Sequence, residues 1–176
     1  MFRRINPSKN VRIPFLLYPV ILVLAYNLAY NLYKFSLLAF GLDLSTTDSS
    51  VKSLYILFST VLSSEMTIRA MVKISSAQKI AWQIATKTLV IQSFFVILNE
   101  VLFGRWSANI LLESEIPLLF IYMACMIIMF LPHIRRYFIP PMVEMPKIRD
   151  WIVYMVIDLT HSERYRYAFK YDKAES

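Results

Sequence analysis

Residues 13–40 read "IPFLLYPVILVLAYNLAYNLYKFSLLAF". As a helix this run of about 28 residues is roughly 42 Å long, against a hydrocarbon core of about 30 Å. Three more apolar runs follow, at about 51–72, 80–103 and 110–131. The expected fold class is an all-α membrane protein: a four-transmembrane-helix bundle with a short cytoplasmic C-terminal amphipathic helix. The first run exceeds the bilayer, so it tilts, kinks or projects, with Pro19 the candidate kink point.

Composition agrees with the runs. Of 176 residues 57% are hydrophobic and 15% aromatic, with two glycines. Soluble domains are less apolar and richer in glycine. The expected organisation is a cytoplasmic tail at 1–12, the transmembrane domain at 13–131 and a cytoplasmic tail at 132–176. "DLSTTDSS" and "GRWSAN" turn the chain on one side, with Gly104 a helix stop, and "KISSAQK" turns it on the other. Pro132 ends the fourth run. Pro140, Pro141 and Pro146 make "YFIPPMVEMPKIRD" an extended linker. Residues 148–160 then follow helical spacing in a segment too short to cross a bilayer. It lies on the membrane or packs on a partner; a short buried strand is the weaker alternative.

The net charge is +7. In a membrane protein, basic residues mark cytoplasmic loops and contact anionic headgroups. Fifteen of the nineteen lysines and arginines fall on one side, in residues 1–12, 69–79 and 132–176. Lys52 and Arg105 face Asp43, Asp48, Glu113 and Glu115 on the other. The expected location is a bacterial inner (plasma) membrane, with both termini cytoplasmic. The first run is too long for a signal-peptide core and lacks a cleavage site, so no cleavable signal is expected. Arg3 and Arg4 read as an orientation signal.

Several chemistries lack their residues. Cys125 is the single cysteine, which excludes a quinone-linked disulfide oxidase. His133 and His161 lie outside the runs and far apart, so neither an intramembrane haem nor a metal cluster has its ligands. No nucleophile elbow or phosphate-cradling glycine loop is present. The expected protein is no enzyme and has no cofactor or metal. "ERYRYAFKYDK" mixes basic and aromatic residues, but Glu163, Asp172 and Glu175 dilute its charge. Headgroup or protein contact is favoured there over nucleic acid.

Ionisable groups inside the runs need partners, at about 2.5–3.5 kcal/mol each at the membrane centre. Glu65 lies about eight residues before Lys73, roughly 12 Å inside the cytoplasmic end. Lys87 falls at matching depth on the third run. The expected clasp is Glu65–Lys87, with Arg69 and Gln83 sharing the network; the alternative is Glu65–Arg69 alone, with Lys87 snorkelling. In the first run Asn27, Asn31 and Lys34 form a polar stripe at i, i+4, i+7, flanked by Tyr30 and Tyr33. Lys34 falls near the outer end with Glu100, Glu113 and Glu115. The stripe is expected to glue helices together, the sharper alternatives being an oligomer interface or the wall of a polar cavity.

The expected function is a non-catalytic membrane subunit, self-associating, that anchors or signals to a cytoplasmic protein through residues 147–176. Trp151, Ile152, Met155, Arg164, Tyr165, Arg166, Tyr167 and Lys170 are its candidate partner or headgroup contacts. Small four-helix subunits occur in prokaryotic defence and toxin-immunity systems, and architectural analogy places the chain among them. The alternatives are an oligomeric ion channel or transporter component, and an accessory subunit of a larger energy-converting complex.

Overall fold

A computed structural model describes residues 13–40, 50–103, 115–139 and 145–156. Among these residues the protein is all helical, with no strand. After a 3-10 turn at Phe15–Leu17 come α1 (Tyr18–Ala39), α2 (Ser50–Ile74), α3 (Lys79–Phe103) and α4 (Ile116–Phe130). Two short helices close the chain, α5 (Pro132–Tyr137) and α6 (Ile148–Val156). α1 packs on α2, α2 on α3 and α3 on α4, and α4 closes the ring on α1.

Two stretches are long and apolar enough to cross a membrane, Phe15–Ala39 and Lys79–Phe103. The other two fall short for different reasons. α2 has the length, but Glu65 and Arg69, with the serines and threonines around them, lower its hydropathy. α4 has 15 described residues, or about 22 Å, less than a hydrocarbon core of about 30 Å. Residues 110–114 of the expected fourth span lie outside the described residues, as does Gly104.

Proline placement explains the helix ends. Pro19 sits in the first turn of α1, where its missing N–H has no helical partner to lose. It starts the helix after the 3-10 turn, correcting its expected role as a kink. Leu131 precedes Pro132 and adopts φ −59°, ψ 138°, because proline pushes its predecessor out of the helical region. α4 therefore stops, and Pro132 opens α5. The α2–α3 turn bonds the Ser76 N–H to the Lys73 carbonyl at 2.9 Å. It passes through Ala77 at φ 52°, a left-handed conformation that suits glycine better.

The interior divides along the bundle. At the α2–α3 turn end the core is apolar: Leu17, Val20, Leu24, Ile74, Trp82, Ala85, Leu89, Met129, Ile134 and Phe138. Toward the other end the buried residues include Asn27, Asn31, Thr60, Ser63 and Gln92. Large apolar side chains are exposed on all four long helices, with Leu22, Phe58, Val72, Phe94, Phe120 and Ile127 among them, and α2 also exposes Glu65, Arg69 and Lys73.

Candidate functional site

The polar half holds a partly open cavity of about 50 Å³ between α1, α2, α3 and α4. α1 contributes Asn27, Tyr30, Asn31 and Lys34, one polar edge at helical spacing. α2 contributes Tyr55, Ser59, Thr60 and Ser63, α3 Gln92 and Asn99, and α4 Tyr122 and Glu115.

Ion pairing defines one end. Lys34 pairs with Glu115 and lies 4.5 Å from the Tyr30 ring centre. The Tyr30 hydroxyl donates to Glu115 Oε1 at 3.0 Å. Glu100 Oε1 accepts the Glu115 backbone N–H at 2.8 Å. Glu113 lies outside the described residues. Deeper, the Tyr122 hydroxyl donates to Asn27 Oδ1 at 3.2 Å, tying α4 to α1. Gln92 Nε2 donates to Thr67 Oγ1 at 2.8 Å, and Thr67 donates to the Ser63 carbonyl at 2.7 Å. Asn27 Nδ2, Asn31 Nδ2 and Gln92 Oε1 are buried and find no partner among the described residues. Asn27 thus acts both as an interhelical contact and as cavity wall, and Asn31 as cavity wall.

The expected α2–α3 clasp takes a different form. Glu65 pairs with Arg69 on its own helix, and their side chains are 52% and 66% exposed. Thr60, Ser63, Thr67, Ala70 and Ile74 repeat at alternating intervals of three and four along the buried face of α2. Glu65 is two residues from Ser63, about 200° around the helix, so it points outward. The α2–α3 seam is closed by uncharged groups instead. Besides Gln92 and Thr67, the Tyr55 hydroxyl donates to the Phe95 carbonyl at 2.9 Å, and the Thr88 hydroxyl, which is 2.8 Å from the Ile84 carbonyl on its own helix, also lies 3.3 Å from the Met66 carbonyl. Lys87 is half-buried on α3. Gln83 Nε2 donates to the Tyr154 carbonyl at 2.6 Å, so this residue holds the terminal helix.

The opposite end carries the second feature. α4 ends with carbonyls that lack helical donors. Trp82 Nε1 donates to the Met129 carbonyl at 2.8 Å and Arg135 Nε to the Phe130 carbonyl at 2.9 Å. Trp151 of α6 is fully buried, with its ring centre 4.5 Å from that of Trp82 and 5.8 Å from the Arg135 guanidinium. Lys79 covers the Tyr154 ring. Burial lowers the pKa of the Arg135 guanidinium and raises that of the Tyr137 phenol.

The tail contacts therefore need correction. Trp151 is a core residue of its own chain and presents no surface to a partner or headgroup. Met155 is partly buried against the same core, whereas Ile152 is exposed. Helix α6 covers 148–156 of the expected 148–160. Arg164, Tyr165, Arg166, Tyr167 and Lys170 lie outside the described residues. His133 is exposed at the start of α5.

Trp82, Gln92 and Tyr122 are site residues that sequence reading missed. Gln92 and Tyr122 are polar residues within apolar runs, and the available signal was their matching depth with Asn27 and Asn31 across different helices. No family model, curated protein or solved structure matches the chain.

Proposed function

We propose that this chain is a non-catalytic integral membrane subunit, crossing the bilayer four times, that presents its C-terminal tail to a cytoplasmic protein. The observation that carries this reading is the seating of Trp151 on Trp82 and Arg135. It pins α6 to the basic end of the bundle, so the aromatic-basic segment after Val156 leaves from a fixed point. On α6, Trp151, Tyr154 and Met155 face the bundle, while Ile148, Ile152 and Val156 are exposed and apolar. A helix at the bilayer surface has this division.

Four spans rather than two are supported by the large apolar residues exposed on the outward faces of α2 and α4, among them Leu54, Phe58, Val61 and Ile68 on α2 and Phe120 and Ile127 on α4. The buried polar residues Thr60, Ser63 and Thr67 of α2 and Tyr122 of α4 turn inward, the reverse of a soluble bundle. Self-association is supported by the outward Glu65–Arg69 pair. A charged pair facing hydrocarbon is costly, and a second copy packed on that face covers it.

Purification in mild detergent tests the function. The full chain is expected to co-elute with a cytoplasmic protein, and a chain lacking residues 157–176 is expected to insert normally and lose it. Equal recovery of that protein by both chains would overturn the reading. The polar cavity favours a second reading, an oligomeric channel component. Ion flux through reconstituted oligomers would support it, and tight vesicles would remove it.

A further inference from the structure

Three amide atoms in the cavity are buried without a protein partner, and their arrangement specifies a ligand. An unpaired buried polar group is destabilising, so bundle stability alone does not account for three in one place. Asn27, Asn31 and Gln92 are 4%, 7% and 3% exposed. Asn27 and Asn31 are one helical turn apart on α1 and each leaves an Nδ2 donor. Gln92 lines the cavity from α3. The Thr67 hydroxyl gives its proton to the Ser63 carbonyl, so it can only accept from Gln92. That fixes Gln92 with Nε2 on Thr67 and Oε1 unpartnered.

Charge limits what can enter. Among the described residues Lys34 and Glu115 are the charged side chains lining the cavity, and they neutralise each other. An ion of either sign would shed water with no net charge to replace it. Size limits it further. At roughly 10–15 Å³ per water position, the cavity has room for about three to five non-hydrogen atoms. At one end of the cavity the Lys34 and Glu115 side chains are 30% and 19% exposed.

We propose that this cavity binds a small uncharged amide or polyol. Its oxygen accepts from Asn27 and Asn31, and its N–H or O–H donates to Gln92. The site lies in the half of the bundle away from α6, and its occupancy is independent of the tail's role.

Saturation-transfer NMR on the full chain in nanodiscs tests this, with acetamide and ethylene glycol as probes and acetate as the charged isostere of acetamide. The expected result is saturable transfer to both neutral probes, none to acetate, and no change on removing residues 157–176. Asn31→Leu and Gln92→Leu are each expected to weaken acetamide binding by about tenfold, the equivalent of one hydrogen bond. Absence of saturable transfer to the intact protein would mean a hydrated cavity only and overturns the proposal. So does acetate competing equally with acetamide, or folded leucine variants that bind unchanged. Should a variant fail to fold, the acetamide–acetate comparison on the unmodified chain decides alone.

Discussion

Two ion pairs in this protein differ in what surrounds them, and that difference sets their weight. Lys34–Glu115 is partly buried and tied to Tyr30 and to the Glu115 backbone. Replacing Glu115 by glutamine leaves a half-buried ammonium without its counter-charge, and is expected to cost about 1–3 kcal/mol in thermal unfolding in detergent. Glu65–Arg69 is an exposed i, i+4 pair. Glu65→Gln is expected to change the stability of the detergent-solubilised monomer by less than about 0.5 kcal/mol. If the larger loss came from Glu65, the outward placement would be wrong. Ala77 gives a third case: relieving its left-handed conformation by Ala77→Gly is expected to raise stability by about 0.5–1 kcal/mol in the same assay. At this scale the sequence was half legible. Depth along a helix follows from counting, which brought Glu65 and Lys87 to one level. Azimuth does not, because it depends on which face the small residues Thr60, Ser63, Thr67 and Ala70 bury. The Asn27–Asn31–Lys34 stripe was readable because its spacing itself defines a face.

Helix α6 shows what an element's sequence leaves open. Its existence follows from the spacing of Ile148, Trp151, Ile152 and Met155, but its docking depends on Trp82, some seventy positions earlier. No local pattern encodes that pairing. A nine-residue helix is marginal alone, so its order rests on Trp151. Trp151→Ala removes a buried indole at a cost of about 3–5 kcal/mol. That exceeds what the Gln83–Tyr154 hydrogen bond returns, at about 1 kcal/mol. The expected outcome is a tail that a protease cuts much faster, with intact α1–α4 fragments remaining. A tail as resistant as in the unmodified chain would contradict the docking. The α4–α5 break is the opposite case: Leu131 and Pro132 dictate it locally, and the end of the fourth run was legible for that reason.

Among the described residues the long helices are apolar outside, Glu65, Arg69 and Lys73 of α2 apart, and the bundle is polar inside in one half. That inversion is the reason to place it in a bilayer, where helices associate through close packing of small residues and interhelical hydrogen bonds of about 0.6 kcal/mol each. The small buried face of α2 and the Tyr122–Asn27 and Gln92–Thr67 bonds are those devices. The number and approximate bounds of the long helices were legible from the runs. The cavity was not, because four helices each supply part of it and no single stretch shows more than one edge.

Membrane topology is the most direct test of this account. Single cysteines placed by Ser76→Cys, in the α2–α3 turn, and by Ser45→Cys and Ser107→Cys, on the connections following α1 and α3, can be probed with an impermeant maleimide; the native Cys125 is buried. The account predicts that Ser45→Cys and Ser107→Cys label in intact cells and that Ser76→Cys labels only after permeabilisation. Labelling of Ser76→Cys on the same side as either of the others, or recovery of the chain in the soluble fraction, would contradict it.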